Sequence, residues 1–392
     1  FAQEYSIVAN IGASINYIAS DELRYGGPIQ DNGLANVFNV FDLDDVKKRA
    51  TKSGWHDETQ SVFGSLEFGW KKSLFLTVTG RNDWASQLAG SNQSSFFYPS
   101  AGLSWVPTGL WDMGALGYLK FRGSVASVGM PFPRFLTMPT YEYDATNKIW
   151  KDKTHYPIGD LKPERTLTYE LGLEAKLWQD LSLNLSWYLA DTYNQTFDPQ
   201  LPPSSGYTTI YLQTGSVRNI GVEASFGYNH SWRSFTWDSN FTFSWNKNEI
   251  TSLADNAINP ITGESLNLDR LEIKGLGKAK YILKKGGTLG DLYTTSRLKH
   301  NEKGFIDIDD AGQVSVLDSG SEIFLGTVFP KYNLAWRNDL SYKGLHLGFL
   351  LSGRIGGIVY SATQANLDFY GVSKSSAASR DAGGVIVNGR ES

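Results

Sequence analysis

The sequence contains no cysteine, and this absence excludes several classes of protein. Its 392 residues also include just three methionines and five histidines. Without thiols, the chain cannot build disulfide scaffolds, thiolate zinc sites, iron–sulfur clusters or a cysteine nucleophile. The histidines are scattered, and no H-x-x-x-H pair, G-x-S-x-G elbow or phosphate-binding G-x-x-x-x-G-K-[ST] loop occurs. We therefore predict that the protein is not an enzyme.

An excess of positive charge and a long apolar run are also missing. Lys and Arg number 36 against 40 Asp and Glu, which gives a formal net charge of −4. Nucleic-acid binding requires a basic face, so no nucleic-acid partner is expected. A membrane-spanning helix needs about 20 mostly apolar residues. The most apolar runs, 5–20 and 345–353, are short or interrupted by Gly, Ser and Asn.

Apolar and polar residues alternate along much of the chain. Aromatic residues make up 14% of it and there are 40 glycines. Apolar side chains occupy nearly every second position in four long runs, which are 167–177, 181–189, 219–228 and 235–245. A period of two predicts strands with one apolar face. Several runs reach the length of about 9–11 residues typical of membrane strands, whereas soluble strands have about 5–6.

The connections between these predicted strands alternate in length. Four are tight turns, at 71–73, 179–180, 230–234 and 342–344. Others are long, such as 130–165 and 247–331. Short turns at one rim and long loops at the other are the layout of outer-membrane barrels. Tryptophans lie beside the short turns, as expected of an aromatic girdle; they are Trp70, Trp178 and Trp232.

A soluble β-sandwich is the main structural alternative, because any half-exposed antiparallel sheet alternates. Leu, Phe and Trp recur on one face of many strands, and in a soluble protein a second layer would have to cover them. The segments with helical character, 42–50 and 110–119, are too short to supply it. We therefore predict an all-β fold, an antiparallel transmembrane β-barrel that contacts membrane lipid.

Several strings, in order along the chain, resemble one family, the SusC/RagA-type TonB-dependent outer-membrane transporters. They are GRNDWASQL (80–88), FFYPSAGLSWV (96–106), LKFRGSVASVG (119–129), LKPERTLTYELGLEAKLW (161–178), GSVRNIGVEASFGY (215–228), GGTLGDLY (286–293) and the segment 324–360. The resemblance covers nearly the whole chain from about residue 55 onward.

The resemblance implies a plugged barrel of the class with about 22 strands in a Gram-negative outer membrane. A SusD-like lipoprotein would close it from outside, and TonB would pull on the plug from the periplasm. The substrate would be an oligosaccharide or a peptide. The protein would therefore be a nutrient importer.

The sequence also departs from the family pattern at its two ends. No plug domain or TonB box precedes Phe1, and the end VIVNGRES lacks the usual aromatic-ended strand. The alternating runs predict roughly twelve to fourteen strands, fewer than a closed family barrel has. We expect residues 1–392 to form a single domain, the later part of a transporter barrel without its plug.

An acidic loop resembles a calcium site. With Asp307 as position one, Asp309 and Asp318 fall at positions three and twelve of an EF-hand-like spacing, and Gly312 falls at six. Position five is Ala311, which has no ligand oxygen. A solvated acidic turn is therefore the alternative, and we expect no other cofactor.

Two further segments are candidates for substrate contact. The loop 130–165 carries aromatic residues that are able to stack on sugar rings or hold a peptide; Tyr141, Tyr143 and Trp150 are the candidates. Contact with a lid protein, or packing among the loops, explains them at least equally well. In LKPERT (161–166), Glu164 and Arg165 are either a polar contact near the substrate or an ion pair at the loop base.

Two other functions stay open at this point. A soluble or surface-attached glycan-binding, adhesive β-protein would use the loop aromatics as its platform. A β-rich glycoside hydrolase would need a pair of carboxylates. An importer differs from both in having an apolar belt that faces lipid.

Overall fold

The computed structural model describes residues 4–30, 39–137, 141–144, 148–152, 155–156, 161–197, 209–258, 263–276, 279–300, 303, 305–308, 314 and 316–384. Most of these residues lie in strands. In chain order the strands are β1 (Tyr5–Gly26), β2 (Arg49–Trp70), β3 (Leu74–Ala85), β4 (Phe96–Trp105), β5 (Leu116–Met130), β6 (Tyr141–Asp144), β7 (Ile149–Asp152), β8 (His155–Tyr156), β9 (Glu164–Leu177), β10 (Leu181–Phe197), β11 (Thr209–Ile210), β12 (Leu212–Trp232), β13 (Phe235–Ser252), β14 (Ala254–Ile258), β15 (Ser265–Leu268), β16 (Arg270–Leu276), β17 (Ala279–Lys284), β18 (Asp291–Leu298), β19 (Val316–Thr327), β20 (Tyr332–Tyr342) and β21 (Leu345–Ile355).

One antiparallel sheet of eleven strands dominates the fold. Its order is β1-β2-β3-β4-β5-β9-β10-β12-β13-β20-β21, so strands that are adjacent in this sheet follow one another along the chain. This up-and-down order is the one expected of an outer-membrane barrel. Among the described residues the sheet does not close, because β1 and β21 each pair with a single neighbour in it.

One row of cross-strand partners shows that the sheet has an apolar face. The row runs through all eleven strands and consists of Ile7, Phe68, Leu76, Leu103, Gly123, Leu171, Trp187, Val222, Trp245, Tyr332 and Ile355. Leu171 is 60% exposed, and Ile7 is 54% exposed. No second layer of the described chain covers this face. It is therefore the apolar band that faces lipid.

Two tryptophans on the apolar face find partners for their indole N–H groups on the side of the short-turn rim. Trp237 donates to Asn338 Oδ1 at 3.0 Å, and Trp336 donates to Ser239 Oγ at 3.0 Å. An indole N–H without a partner is costly in an apolar medium, so the two polar side chains explain why polar residues interrupt an apolar face.

The two rims of the sheet differ as predicted. The short turns 71–73, 178–180, 233–234 and 343–344 lie at one rim. In the last of them Lys343 and Gly344 have positive φ angles of 45° and 87°, which a two-residue hairpin turn requires. The longer connection between β4 and β5 lies at the same rim, and all other connections lie at the opposite rim, here called the loop rim.

The large sheet has fewer strands than the predicted twelve to fourteen. The loops at the loop rim form small sheets of their own: β6 with β7, β8 with β11, β14 with β15, and β16-β17-β18-β19. In the four-stranded sheet Glu322 accepts hydrogen bonds from Arg270 and pairs with Lys284 Nζ at 2.7 Å. These two cations hold the pKa of the Glu322 carboxyl below its usual value. The loop hairpins alternate with the same period of two as barrel strands. The predicted number of strands in the large sheet was therefore too high.

The buried apolar clusters lie at the loop rim. One cluster consists of Ala85, Leu88, Phe96, Phe132, Leu136 and Leu161. The other consists of Phe197, Val217, Ile250, Leu253 and Leu283, and it joins the four-stranded sheet to the ends of β10, β12 and β13. Burying these side chains fixes the loops on the sheet.

Helices are few and short in the described chain. The α-helices are α1 (Ala362–Phe369) and α2 (Lys374–Asp381), which follow β21. Three 3-10 turns lie at Val40–Asp42, Ser86–Leu88 and Pro107–Gly109. The segments 42–50 and 110–119 contain no α-helix. None of the described helices combines the length and the apolar character needed to cross a membrane.

Candidate functional site

The face of the sheet opposite the apolar band is polar, and we call it the luminal wall. Because successive side chains of a strand point to opposite faces, each residue of the luminal wall is the sequence neighbour of a residue of the apolar band. Its polar residues in the middle strands include Lys120, Arg122, Ser124, Glu170, Glu174, Asn184, Ser186, Glu223, Ser225, Thr242 and Ser244.

Arg122 is the centre of a charged cluster on the luminal wall. Its Nη1 lies 3.0 Å from Glu170 Oε1, and its Nη2 donates to Ser186 Oγ at 2.5 Å. The guanidinium crosses β9 over Gly172, where an added Cβ would lie 2.3 Å from Arg122 Nε. Glycine at this position therefore lets one arginine reach from β5 to β10. The cluster supplies charges that stay hydrated inside a barrel.

A broad recess of about 890 Å³ opens on the same wall. Donors and acceptors from six strands line it, and they include Arg122, Ser186, Glu223, Ser244, Asn333 and Arg354. Such a surface is able to hydrogen-bond a polar solute or another protein segment.

At the loop rim, Arg134 connects the loop 131–137 to β2. Its Nη2 lies 2.6 Å from Asp57 Oδ2, and its guanidinium carbon lies 3.5 Å from the centre of the Trp55 ring. From Gln60 to the start of β2 at Arg49, the outward face of this strand no longer carries large apolar side chains. Asp57 lies in this part of β2 and is therefore above the apolar band. The Arg134 guanidinium holds the pKa of the Asp57 carboxyl below its usual value.

Glu164, the first residue of β9, lies near this arginine. The ion pair predicted as one alternative for Glu164 and Arg165 does not form, because Arg165 Nη2 donates to the Phe97 carbonyl at 3.1 Å. Glu164 points to the luminal side above the apolar band and is half-buried. Burial raises the pKa of its carboxyl, and no described cation pairs with it.

Trp55, Gln87, Phe132, Arg134, Glu164 and Gln195 line one recess of about 830 Å³, here called the rim pocket. It lies between the ends of β2, β5, β9 and β10 and the turn after β3. Sequence reasoning singled out Glu164 but missed the others, since they lie on separate segments and no motif joins them.

Of the three predicted calcium ligands, Asp307 alone has a side chain within the part of the chain that the structure describes. Asp307 Oδ2 pairs with Lys299 Nζ at 2.9 Å. Asp309 lies outside the described residues, and Asp318 lies in β19 with Ser296 as its cross-strand partner. Within the described ranges, no three acidic, histidine or cysteine side chains are grouped as metal ligands. The calcium site stays a prediction.

The predicted aromatic candidates lie in one hairpin formed by β6 and β7. Tyr143 and Trp150 are cross-strand partners, with ring centres 5.1 Å apart. They are 50% and 69% exposed. Tyr141 is in the same hairpin, where its backbone is opposite Asp152. Substrate contact by these residues stays a prediction.

Comparison with known proteins gives consistent matches. The family model described as TonB dependent receptor-like, beta-barrel matches residues 3–321. The TonB-dependent receptor P3 of Formosa agariphila is 26% identical over 352 residues, which are 80% of this chain and 34% of that protein. The TonB-dependent receptor SusC of Bacteroides thetaiotaomicron is 23% identical over 328 residues, which are 76% of this chain and 31% of SusC. The chain thus spans about a third of the length of these two relatives.

Solved structures share the fold. The RagAB peptide importer in its closed-closed state matches with a TM-score of 0.68 and 18% identity, over 91% of this chain and 40% of that chain. The outer-membrane transporter YddB of Escherichia coli matches with a TM-score of 0.51 and 13% identity, over 92% of this chain and 41% of that chain. At these identities the likeness concerns architecture alone.

Proposed function

The chain belongs to the TonB-dependent receptor-like β-barrel family, whose members are outer-membrane transporters rather than enzymes, and from this premise we propose that it imports an oligomeric nutrient. The nutrient is a glycan or a peptide. It passes the luminal wall into the periplasm, and TonB, coupled to the inner-membrane proton gradient, supplies the energy.

The two-faced sheet is the observation that carries this proposal. Its apolar face lies uncovered across all eleven strands, and its other face holds the Arg122 cluster and the recess of about 890 Å³. An apolar outside and a hydrated inside suit a wall past which a polar solute moves. The wall itself contributes binding and positioning, and the energy must come from elsewhere.

We extend the proposal to a SusD-like lipoprotein that closes the barrel at the loop rim. The resemblance to SusC/RagA-type transporters and the match to SusC support such a partner. The loop rim also carries the small sheets and the two helices, which provide a broad surface outside the membrane. A peptide substrate has support from the match to RagAB, which is described as a peptide importer.

Neither alternative function has comparable support. An adhesive, soluble protein would need to cover the apolar face, and a glycoside hydrolase would need paired carboxylates across a cleft. The exposed hairpin of Tyr143 and Trp150 suits an adhesive platform, but it suits the mouth of an importer as well.

The proposal is tested by uptake in cells that produce the native protein. We expect labelled oligosaccharides or oligopeptides to enter the periplasm, and we expect uptake to be lost when either this gene or tonB is deleted. A small solute that diffuses through porins serves as the control and should enter all strains equally. Uptake that persists without TonB would contradict the proposed mechanism.

A further inference from the structure

The rim pocket has the dimensions of a ligand site. Its volume of about 830 Å³ lies within the range of about 300–1,000 Å³ that is usual for small-ligand sites. Trp55, Phe132 and the neighbouring prolines Pro131 and Pro133 give it apolar walls. It lies on the luminal side at the loop rim, where an incoming solute first meets the barrel.

Among the described residues, the one cation that lines the pocket is already engaged. Arg134 Nε lies 3.1 Å and 3.2 Å from the two carboxylate oxygens of Asp57, and Nη2 lies 2.6 Å from Oδ2. Its flat face stacks on Trp55. An anionic ligand would have to compete with Asp57 for this guanidinium, so the pocket is not built for an anion.

One carboxylate in the pocket wall has no partner among the described residues. Glu164 is half-buried, and no described cation or hydrogen-bond donor contacts its oxygens. Moving a carboxylate even partly out of water is unfavourable unless a cation or a donor compensates it. Gln87 Oε1 and Gln195 Oε1 also lack described donors, but they have almost no accessible surface, so a ligand in the pocket does not reach them. The unpaired Glu164 carboxylate indicates that the missing cation comes from a ligand.

We propose that the rim pocket binds a protonated primary amine carried by the imported substrate. An ammonium group brings three N–H donors and one positive charge. It therefore neutralises Glu164, which a hydroxyl group is not able to do. A single carboxylate supplies too few oxygens for calcium, which takes about 6–8.

This inference rests on the proposed import function and narrows its substrate class. Two kinds of oligomer carry such an amine. One is a peptide, through its N-terminus or a lysine side chain, and the other is a glycan that contains an unacetylated amino sugar. The apolar walls are able to hold the carbon skeleton of either.

The first test is calorimetric titration of the native full-length protein in detergent. The probes are tri-lysine, its fully N-acetylated form, a glucosamine tetramer and an N-acetylglucosamine tetramer. Acetylation removes the positive charge and leaves one of the three N–H donors, and the backbone of each oligomer stays the same. At least one free-amine probe should bind at least roughly tenfold more tightly than its acetylated form, because a hydrogen bond to a charged group contributes about 1.5–3 kcal/mol.

The outcomes separate the two sources. If tri-lysine alone binds more tightly than its acetylated form, the substrate is a peptide. If the glucosamine tetramer alone binds more tightly than its acetylated form, the substrate is an aminoglycan. If both do, the amine itself is the recognised group. Acetylated probes that bind as well as the free amines, or no binding of any probe, would overturn the proposal.

The second test replaces the carboxylate. Glu164→Gln should weaken binding of the free-amine probe at least roughly tenfold, for the same reason. Glu67→Gln is the matched control, because Glu67 is also a half-buried luminal glutamate but lies lower on β2, where Thr77 donates to it at 3.4 Å. The control should bind like the wild type. Heat-dependent gel migration verifies that each barrel is folded.

A folded Glu164→Gln protein that binds like the wild type would overturn the amine site and leave the import function intact. Loss of TonB dependence in the uptake assay would instead contradict the import function, without affecting the difference between free and acetylated probes.

Discussion

Arg134 fixes the loop 131–137 to the barrel wall through two different interactions. One is the two-pronged pair with Asp57, and the other is the stack on Trp55. Both partners come from β2, 77 residues away in sequence in the case of Asp57. Because the loop also forms one side of the rim pocket, the shape of the pocket depends on this arginine.

Replacing Arg134 should loosen the loop without unfolding the barrel. We expect Arg134→Met to raise the hydrogen-exchange rate of residues 131–137 several-fold, since it removes the cation–π contact and leaves Asp57 unpaired. Adding Asp57→Asn to the Arg134→Met protein should raise the hydrogen-exchange rate of residues 131–137 little further, because the two residues act as a pair. Arg165→Met is the control, because Arg165 contacts a backbone carbonyl. Equal effects from both arginines would refute this view.

At the scale of the strand, alternation decides which residues meet lipid and which meet water. Leu185 and Asn184 are neighbours in the middle of the alternating stretch 181–189 of β10, yet they belong to opposite faces. Leu185 lies between Leu173 and Ala224 on the apolar face, and Asn184 lies between Glu174 and Ser225 on the luminal wall. The same change of side chain should therefore have opposite consequences at the two positions.

Arginine at position 185 should destabilise the barrel by about 2–4 kcal/mol, the cost of a guanidinium near the bilayer midplane. Arginine at position 184 should change stability little, because water and the nearby Glu174 accommodate the charge. The measurement is the urea dependence of folding of the full-length Leu185→Arg and Asn184→Arg proteins into lipid vesicles. Similar costs for the two variants would mean that the faces are assigned wrongly.

At the scale of the whole molecule, the two edges of the large sheet are decisive. β1 and β21 are long strands, and their outer edges have no partner in the described chain. Unpaired backbone groups are not tolerated within the hydrocarbon layer, and exposed edges promote aggregation in water. A functional barrel therefore needs further strands that bridge β1 and β21.

Residues 1–392 alone should not transport. We expect this segment, reconstituted into liposomes, to give no substrate uptake and to aggregate, while the full-length protein forms heat-modifiable barrels under the same conditions. Uptake by liposomes that carry just this segment would show that it closes by itself, by an association of its two edges or of two copies.

Much of the fold was predictable because strand alternation is a local property. The runs 167–177 and 181–189 became β9 and β10 with the expected faces, and the tight turns lie where they were predicted. The number of strands in the large sheet was overestimated because a loop hairpin shows the same period as a barrel strand. Only the hydrogen-bond pairing shows which sheet a strand joins.

The candidate sites were predicted less well. The pairing of Tyr143 with Trp150 follows from a short hairpin and was within reach of the sequence. Asp307 was singled out by its spacing, but its contact with Lys299 depends on the path of the loop. The calcium site and the aromatic substrate contacts stay predictions.

The sequence by itself determined the two faces of each strand, the two unlike rims and the family, because each depends on residues that are close together in the chain. The tertiary structure decided the rim pocket. Its residues come from four strands, the turn after β3 and the loop 131–137. Their proximity depends on strand order and register, which are set by hydrogen bonds between distant segments.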